Sequence, residues 1–161
     1  MTAIRPKEDR DTALIAAALT EHFGGTMVVS RGRVHDAAGL SGFVAVDDED
    51  RLLGALTWHE AGGEMEIVTL NSFVENRGVG TALIAAAVAL GRAIGVRRLW
   101  LVTSNDNTHA LRFYQKRGWD LYAFHRNAIE QARRIKPAIP LTGEDAIPIR
   151  HEIEFEFIIG A

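Results

Sequence analysis

The order of predicted elements in the middle of the chain constrains its fold more than any other feature. Two strand-like segments, at 51–60 and 64–70, precede a helix pattern, a third strand, a second helix pattern and a fourth strand. We predict the first helix from about 78 to 94, where apolar residues recur on one face, and the second from about 107 to 117, between the cap-type sequence "NDN" and a glycine. Strands that alternate with helices in this way predict a mixed α/β or α+β domain.

Segments on either side add elements to this order. Before the central strands we predict a short strand at "TAIR", a helix over 8–23, a strand over 26–30, a polar loop over 31–39, and a strand, "GFVAV", that forms a hairpin with the first central strand. After them we predict a helix over 127–135, a proline-rich loop and a final strand, "HEIEFEFII". Apolar residues and glutamates alternate along this last strand, which predicts one buried face and one solvated face.

Length and composition are those of one globular domain. The 161 residues are enough for a single domain with a hydrophobic core, and we assign all of 1–161 to it. The formal net charge of −3 argues against a nucleic-acid partner, and the absence of cysteine excludes disulfides, thiolate catalysis and cysteine-ligated zinc. No apolar run is long enough to span a membrane and no signal peptide is evident, so we expect a cytoplasmic protein with no membrane partner.

The turn "ENRGVGTALI" (75–84) joins a central strand to the first helix and contains Gly78 and Gly80. Glycines let a phosphate approach the backbone, and the free N–H groups of a first helical turn donate to it. A dinucleotide fingerprint needs a third glycine where this chain has Leu83, and the P-loop motif is absent. A cradle for the pyrophosphate of acetyl-CoA and a turn whose glycines only allow tight packing are then equally compatible with the stretch. The backbone of such a cradle would come from Arg77, Gly78, Val79, Gly80 and Thr81.

The segment "NDNTHALRFYQKRGW" (105–119) resembles the second signature of the GNAT superfamily of N-acetyltransferases. In that signature an asparagine, a small residue, "FY" and a "GF" or "GW" ending follow the cofactor helix and one strand. With the glycine turn and the strand "RRLWLVTS", the resemblance covers about residues 42–124. It implies the GNAT fold, a central mixed, mostly antiparallel sheet that is flanked by helices and splayed at the acetyl-CoA site. It also implies acetyl-CoA as co-substrate and the transfer of its acetyl group to a primary amine.

The resemblance also implies roles for individual residues. Tyr114, the tyrosine of "FY", is implied as the proton donor to the departing thiolate, and the backbone N–H of Leu70 would lie near the thioester carbonyl. Asn107 matches the family's cofactor-binding asparagine, although an asparagine at a helix start is equally what a cap requires. Glu75 departs from the family's Q/R-x-x-G-x-G/A turn. The departure puts in doubt a side-chain contact from that position but not a backbone cradle, and we predict that Glu75 points to solvent.

The general base is predicted from strand geometry. Glu66 shares a strand face with Val68 and Leu70, which leads toward the expected thioester site. A carboxylate in a partly apolar setting has a raised pKa, which suits it to collect the proton of an ammonium group. A polar strand end without a catalytic role is an equal alternative, and an ordered water chain can replace a single base.

The acceptor-site candidates are Arg31, Arg33, His35 and Glu64. Three of them lie in the polar loop, and arginines bind carboxylates or phosphates in forked geometry. A solvated surface loop is the alternative. His35 and Asp36 have no evident third ligand beside them, so no metal site is predicted.

The C-terminal segment and the overall function leave further alternatives open. The loop before the last strand is long enough to close an acceptor site or to form a homodimer contact. Arg133, Arg134 and Lys136 could face the glutamates of the last strand, or those glutamates could be solvated. The acceptor is expected to be a small-molecule or protein amine. A non-catalytic acyl-CoA-binding or sensor domain of the same fold is the alternative function, and the glycine spacing disfavours a nucleotide-binding oxidoreductase.

Overall fold

The computed structural model describes residues 1–160, except for the side chain of Phe23. In chain order the helices and strands are β1 (Ala3–Pro6), α1 (Asp9–Phe23), β2 (Met27–Ser30), β3 (Arg33–Asp36), β4 (Ser41–Val46), β5 (Leu52–Ala61), β6 (Glu64–Ser72), α2 (Val79–Ile94), β7 (Arg98–Ser104), α3 (Thr108–Lys116), β8 (Asp120–His125), α4 (Ala128–Ile135) and β9 (Glu152–Ile158). Two 3₁₀ helices, Ala37–Gly39 and Glu144–Ala146, lie in the connections. Within the described range, no helix has the length and apolar character needed to cross a lipid bilayer.

Seven of the strands form one sheet in the order β1-β4-β5-β6-β7-β9-β8. Neighbouring strands are antiparallel except for β6 and β7, which are parallel because α2 connects them across the sheet. β2 and β3 form a separate hairpin. The predicted fold class, a mixed and mostly antiparallel sheet flanked by helices, is confirmed.

The sheet opens between its two parallel strands. β6 and β7 are paired at only two adjacent positions, Met65–Leu99 and Glu66–Trp100. Beyond these positions β6 stays paired with β5, and β7 stays paired with β9. The facing halves of β6 and β7 are therefore unpaired, which is the splay that the family resemblance implies.

α2 covers one face of the sheet beside this opening. Its buried residues recur at three- and four-residue spacing and are Val79, Leu83, Ile84, Ala87, Val88 and Gly91. They pack in one apolar cluster with Met65 and Ile67 of β6. Ile94, which the pattern predicts on the same face, is 46% exposed at the last turn, where Gly95 in the left-handed conformation ends the helix.

α1 and the first 3₁₀ helix cover the opposite face. The cluster on this side contains Ile15, Leu19, Ala37, Ala38, Val44, Val46 and Ala55. Val68 of β6 packs against it, so consecutive residues of β6 face different clusters. Glu66 therefore points to the same side of the sheet as Val68, away from α2. Leu70 packs instead against the α2 cluster, because the β5–β6 register shifts between Thr57 and Trp58, so the face predicted for Glu66, Val68 and Leu70 does not extend to Leu70.

Gly54 of β5 lets α2 begin close to the sheet. A Cβ atom at this position would lie 2.5 Å from Val79 Cγ1 and 2.7 Å from the carbonyl oxygen of Asn71. The backbone oxygen cannot move without disturbing β6, so any side chain here would push the first turn of α2 outward. Gly54 thus fixes how closely the start of α2 approaches the edge of the opening.

We expect Gly54→Ala to lower the free energy of unfolding by about 1–3 kcal/mol, the usual cost of overpacking. Urea denaturation would measure the change as a lower midpoint with an unchanged slope. Gly39→Ala is the matched control, because a Cβ atom at Gly39 would meet no atom within 4 Å. Equal stability of the two variants would mean that α2 shifts away from β5 without cost.

The loop predicted over 31–39 is corrected by the structure, because part of it forms a strand. β3 pairs back on β2, with Val29 opposite Val34. Arg31 and Gly32 form the turn with φ values of 49° and 77°, and a two-residue type I′ turn needs positive values at both positions. The polar residues of this segment are therefore held on a hairpin beside β6.

The solvated face predicted for β9 is also wrong. Glu152 and Glu154 are only 2% and 6% exposed. Arg31 Nη1 lies 3.6 Å from Glu152 Oε1, and Glu154 contacts Arg98 Nη1 at 3.1 Å and His125 Nε2 at 2.9 Å. The two carboxylates can be buried because each has a partner of this kind.

The basic residues in the last turn of α4 and directly after it do not contact these glutamates within the described part of the chain. Arg133 donates hydrogen bonds to three carbonyl groups, two in the segment that follows α4 and one just before β9. Lys136 donates to the carbonyl of Met27 on β2 at 2.8 Å. The alternative in which Arg133, Arg134 and Lys136 face the glutamates of the final strand is therefore not seen among the described residues. Arg133 anchors the long loop instead, and Lys136 binds β2.

Candidate active site

A cleft of about 900 Å³ fills the opening between β6 and β7. Residues 67–72 of β6 form one wall, and residues 101–103 of β7 lie opposite. The turn at 74–78 and the first turn of α2 line one end, and residues of α3 complete the wall. The cleft therefore joins an unpaired stretch of backbone to the N-terminus of a helix.

The glycine turn exposes its backbone, and packing does not require its glycines. A Cβ atom at Gly78 would meet no atom within 4 Å, and one at Gly80 would meet only the Phe113 ring at 3.5 Å, an ordinary contact. Gly78 has φ 68°, so it is needed for the left-handed conformation that starts α2. Gly80 instead keeps side-chain atoms out of the cleft at the first helical turn.

The first turn of α2 offers free donors to the cleft. Its first hydrogen bond runs from the N–H of Ala82 to the carbonyl of Gly78. The N–H groups of the three preceding residues have no intrahelical acceptor, and the helix dipole adds partial positive charge there. This end of the cleft is therefore suited to a phosphate group. The predicted cradle residues Arg77, Gly78, Val79, Gly80 and Thr81 all line it.

Arg117, which no sequence pattern indicates as a site residue, lies at the same end. Its Nε and Nη2 atoms donate to Thr81 Oγ1 at 3.1 and 2.7 Å, and its guanidinium carbon lies 3.7 Å from the centre of the Phe113 ring. A fixed cation thus lies beside the first turn of α2, whereas Glu75 is exposed at the rim. Arg117 and Thr81 are far apart in sequence. They meet only because the C-terminal end of α3 lies beside the first turn of α2.

Asn107 caps α3. Its Oδ1 atom accepts a hydrogen bond from the N–H of Ala110 at 3.0 Å, which confirms the cap interpretation. The residue also lines the cleft. A cofactor contact through its amide nitrogen stays a prediction.

Tyr114 is both a core aromatic and part of the cleft wall. Its ring packs against Phe113, Trp119 and Phe155 at centroid distances of 5.1 to 5.5 Å. It lines the cleft, and its hydroxyl makes no hydrogen bond with the described residues. Burial raises the pKa of the Tyr114 phenol, so the side chain carries a proton at neutral pH.

Leu70 lies on the unpaired stretch of β6. It is opposite Leu56 of β5 in the sheet and lines the cleft on its other side. An extended chain of amides can pair with backbone groups at such an open strand, as a peptide adds to a sheet edge. The oxyanion contact expected from Leu70 is compatible with this position and is not tested by it.

A second pocket, of about 280 Å³, follows the cleft along β6 and β2. The cleft is lined by residues 67–72 and 27–28, and the second pocket by the residues next to them on the same two strands. Its lining consists of Ser30, Arg31, Arg33, His59, Ala61, Glu64, Glu66 and Trp100. Three of the four predicted acceptor residues thus lie here together with the predicted base.

Glu66 is the buried carboxylate of this pocket. It is 3% exposed, and its Oε2 atom lies 3.4 Å from Nε2 of His35. Its Oε1 atom and the hydroxyl of Ser30 are buried without a hydrogen-bond partner among the described residues. Burial raises the pKa of the Glu66 carboxyl and lowers the pKa of the His35 imidazole. Glu66 therefore has the high proton affinity of a general base beside a neutral histidine.

The structure separates the predicted site residues into two groups. The cofactor candidates and Tyr114 surround the large cleft, whereas Glu66, Arg31, Arg33 and Glu64 surround the smaller pocket. His35, expected to contact the acceptor, lies behind Glu66 and is not among the residues that line the pocket. Both the cleft and the smaller pocket are lined by β6. A thioester bound where they meet would therefore lie next to Glu66.

Known proteins resemble this chain in sequence and in fold. The sequence model of the Acetyltransferase (GNAT) family matches residues 8–119. Two relatives from Bacillus subtilis (strain 168) are the uncharacterized protein YxbD, 38% identical over 87% of this chain and 88% of its own length, and the uncharacterized protein YdhI, 35% identical over 99% of each. A Bacillus subtilis acetyltransferase crystallised in complex with CoA has a similar fold, with a TM-score of 0.71 and 17% identity over 99% of this chain and 100% of that chain. The chain therefore belongs to the GNAT family of acetyltransferases.

Proposed function

We propose that this protein is an N-acetyltransferase that moves the acetyl group of acetyl-CoA to a primary amine by direct attack. One observation carries the proposal: a cleft between unpaired strands ends at a free helix N-terminus and is followed along β6 by a pocket that contains the buried Glu66. Acetyl-CoA is the co-substrate, since the chain belongs to the GNAT family and a neighbour of similar fold was crystallised with CoA.

The cleft would hold acetyl-CoA along its whole length. The pyrophosphate would accept hydrogen bonds from the N–H groups of Val79, Gly80 and Thr81, with Arg117 adding positive charge. The pantetheine amides would pair with the open stretch of β6 that includes Leu70. This orientation directs the thioester toward the pocket of Glu66, where an amine can reach it.

The reaction then needs one base, one oxyanion donor and a stabilised leaving group. Glu66 takes a proton from the ammonium group of the acceptor, and the neutral nitrogen attacks the thioester carbonyl carbon. A carbon–nitrogen bond forms, and the N–H of Leu70 donates to the oxyanion. The carbon–sulfur bond then breaks, CoA leaves as a thiolate, and the extra proton on the attacking nitrogen passes to it.

Tyr114 is proposed as a hydrogen-bond donor, which corrects its expected role as a full acid. A phenol has an ordinary pKa of about 10 and a thiol of about 8.5, so complete transfer of the phenol proton to the thiolate costs about 2 kcal/mol. Burial raises the pKa of Tyr114 further and increases this cost. A neutral phenol can still donate a hydrogen bond to sulfur as negative charge develops there.

Release of free CoA tests the proposal. We would measure thiol release from acetyl-CoA with a panel of small amines, lysine-containing peptides and peptide N-termini, and acetyl-CoA binding by calorimetry. Thiol release that depends on an amine, with an acetylated amine as product, supports the transferase. Binding without release on any amine would favour the non-catalytic sensor instead, and failure to bind acetyl-CoA would contradict both.

We expect Tyr114→Phe to lower kcat by about 10- to 100-fold, the worth of one hydrogen bond to a charged group. Affinity for acetyl-CoA should change little, and the fold should be retained because the Tyr114 hydroxyl has no partner among the described residues. Tyr122→Phe is the matched control, since Tyr122 is the chain's other tyrosine and is 57% exposed on β8. An unchanged kcat in Tyr114→Phe would remove Tyr114 from the reaction.

A further inference from the structure

The second pocket contains one guanidinium group that no carboxylate of the described residues contacts. Among its charged residues, Glu64 lies 3.3 Å from Arg97 and 3.2 Å from Arg98, and Arg31 lies 3.6 Å from the buried Glu152. Those charges are matched within the protein. The charge that a bound molecule should carry is therefore set by the remaining charged residues of the pocket.

Arg33 is the unmatched cation. It is exposed on β3, and no carboxylate of the described residues lies within 4 Å of its guanidinium. Its Nη1 atom lies 3.4 Å from Nδ1 of His59, and the His59 ring lies 5.1 Å from the ring of His35, which contacts Glu66. Arg33 and Glu66 thus stand at two ends of one short row of side chains.

The pocket is dipolar as a result. The end at Glu66 holds a buried carboxyl oxygen without a hydrogen-bond partner among the described residues and, next to this carboxyl, the buried Ser30 hydroxyl. These oxygens can receive an ammonium group. The end at Arg33 offers a guanidinium fork, and carboxylates and phosphates fit that fork in planar geometry. A molecule with an amine at one end and an anion at the other would match both ends.

The size of the pocket favours a small molecule. A volume of 280 Å³ equals the liquid volume of about nine water molecules. It lies at the lower limit of typical ligand pockets, which begin at about 300 Å³. A compact amine of roughly that bulk fits, with its anionic group at the exposed rim formed by β2 and β3.

We propose that the acceptor is a small primary amine that carries a carboxylate or a phosphate, with the amine at Glu66 and the anion at Arg33. This inference rests on the proposed acetyltransferase function and specifies its substrate class. It predicts that neutral alkylamines and polyamines are poorer acceptors. An additional positive charge on a polyamine would face the guanidinium of Arg33 without compensation.

Matched amines test the proposal on the complete protein. We would compare kcat/KM for γ-aminobutyrate with that for n-butylamine and 1,4-diaminobutane, and for O-phosphoethanolamine with that for ethanolamine. The anionic amine of each set should be preferred by about 10- to 100-fold, as expected for one charge-assisted hydrogen-bonded pair. The two sets distinguish a carboxylate acceptor from a phosphate acceptor.

Variants at Arg33 give the decisive comparison. Arg33→Gln should bring the ratio of kcat/KM for the anionic amine to kcat/KM for the neutral amine close to one, and Arg33→Lys should retain part of the preference. Arg92→Gln is the control, because Arg92 is exposed on α2 at the other face of the sheet.

The outcomes separate this inference from the proposed function. Equal or better use of the neutral amines, or a preference that survives Arg33→Gln, would overturn the inference and leave the transferase intact. If acetyl-CoA binds but no amine releases CoA, the proposed function fails and the inference fails with it.

Discussion

We expect Glu66→Gln to lower kcat by about 100-fold or more while leaving the affinity for acetyl-CoA unchanged. A positioned general base contributes about 10²- to 10⁴-fold to a rate, and a carboxamide of the same shape cannot accept the ammonium proton. Glu66 lines the second pocket and not the cofactor cleft, so binding and catalysis should separate cleanly in this variant. Steady-state kinetics and calorimetry on the same preparation would measure both.

The pH dependence of the rate should identify the base. Glu66 works as a carboxylate, and burial raises its pKa above the ordinary value. Activity of the native protein should therefore fall as the pH drops through this raised pKa. Glu66→Gln should lose that limb of the profile and keep only the limb caused by protonation of the acceptor amine itself.

The stability of the native protein should change with pH in the opposite sense to its activity, and Glu66→Gln should remove the part of this change that Glu66 causes. Because the folded-state pKa of Glu66 is raised, the folded protein holds a proton that the unfolded chain releases. Its contribution to stability is present below the unfolded pKa and is lost as pH rises through the folded pKa. Glu66→Gln stays neutral at every pH. It should match the native protein near pH 4 and exceed its stability at about pH 8, which denaturation curves would detect.

A matched carboxylate controls for general charge effects. Glu60 lies on the neighbouring strand β5, where it accepts a hydrogen bond from Trp58 Nε1 and is exposed. Glu60→Gln removes the same charge without touching either pocket and should leave kcat unchanged. A Glu66→Gln variant with normal kcat and an unaltered pH profile would mean that water, and not Glu66, carries the proton away.

Local patterns were enough to predict the elements that build the cofactor cleft. α2 has apolar residues at helical spacing and a glycine at each end, so residues 78–95 alone predict its approximate bounds and, except for Ile94, its buried face. α3 has a capping asparagine and a terminal glycine in the same way. The glycine turn needed more, since sequence alone did not distinguish packing from backbone access. The space around Gly78 and Gly80 now favours access.

Features that depend on distant contacts could not be predicted. Alternation along β9 predicts two different faces, but not that Arg31 and Arg98 would cover the glutamate face and bury Glu152 and Glu154. The type I′ turn of the β2–β3 hairpin uses Arg31 at a positive φ, which is an uncommon choice for this turn. Three of the residues that line the second pocket, Ser30, Arg31 and Arg33, come from this hairpin, so local patterns could not predict the shape of the pocket either.

Gly80→Val should abolish measurable binding of acetyl-CoA, which is the second large effect. The proposed cradle donates two or three N–H groups to a pyrophosphate, and hydrogen bonds to charged groups contribute about 1.5–3 kcal/mol each. Losing two of them would weaken binding by about 100- to 10⁴-fold. A Cβ atom at Gly80 would already lie 3.5 Å from the Phe113 ring, so the extra methyl groups of valine must extend toward the cleft.

The same change should not unfold the protein, which makes the result interpretable. Glycine is among the least favourable residues inside a helix, and valine is better by a few tenths of a kcal/mol. Ala85→Val is the matched control, because Ala85 is exposed on α2 and does not line the cleft. Gly80→Ala should bind acetyl-CoA with intermediate affinity, since its single methyl group makes only an ordinary contact. Calorimetric titration of the three variants, each checked by circular dichroism, measures this order. A folded Gly80→Val variant with native affinity would contradict the cradle and return the glycine turn to a purely structural role.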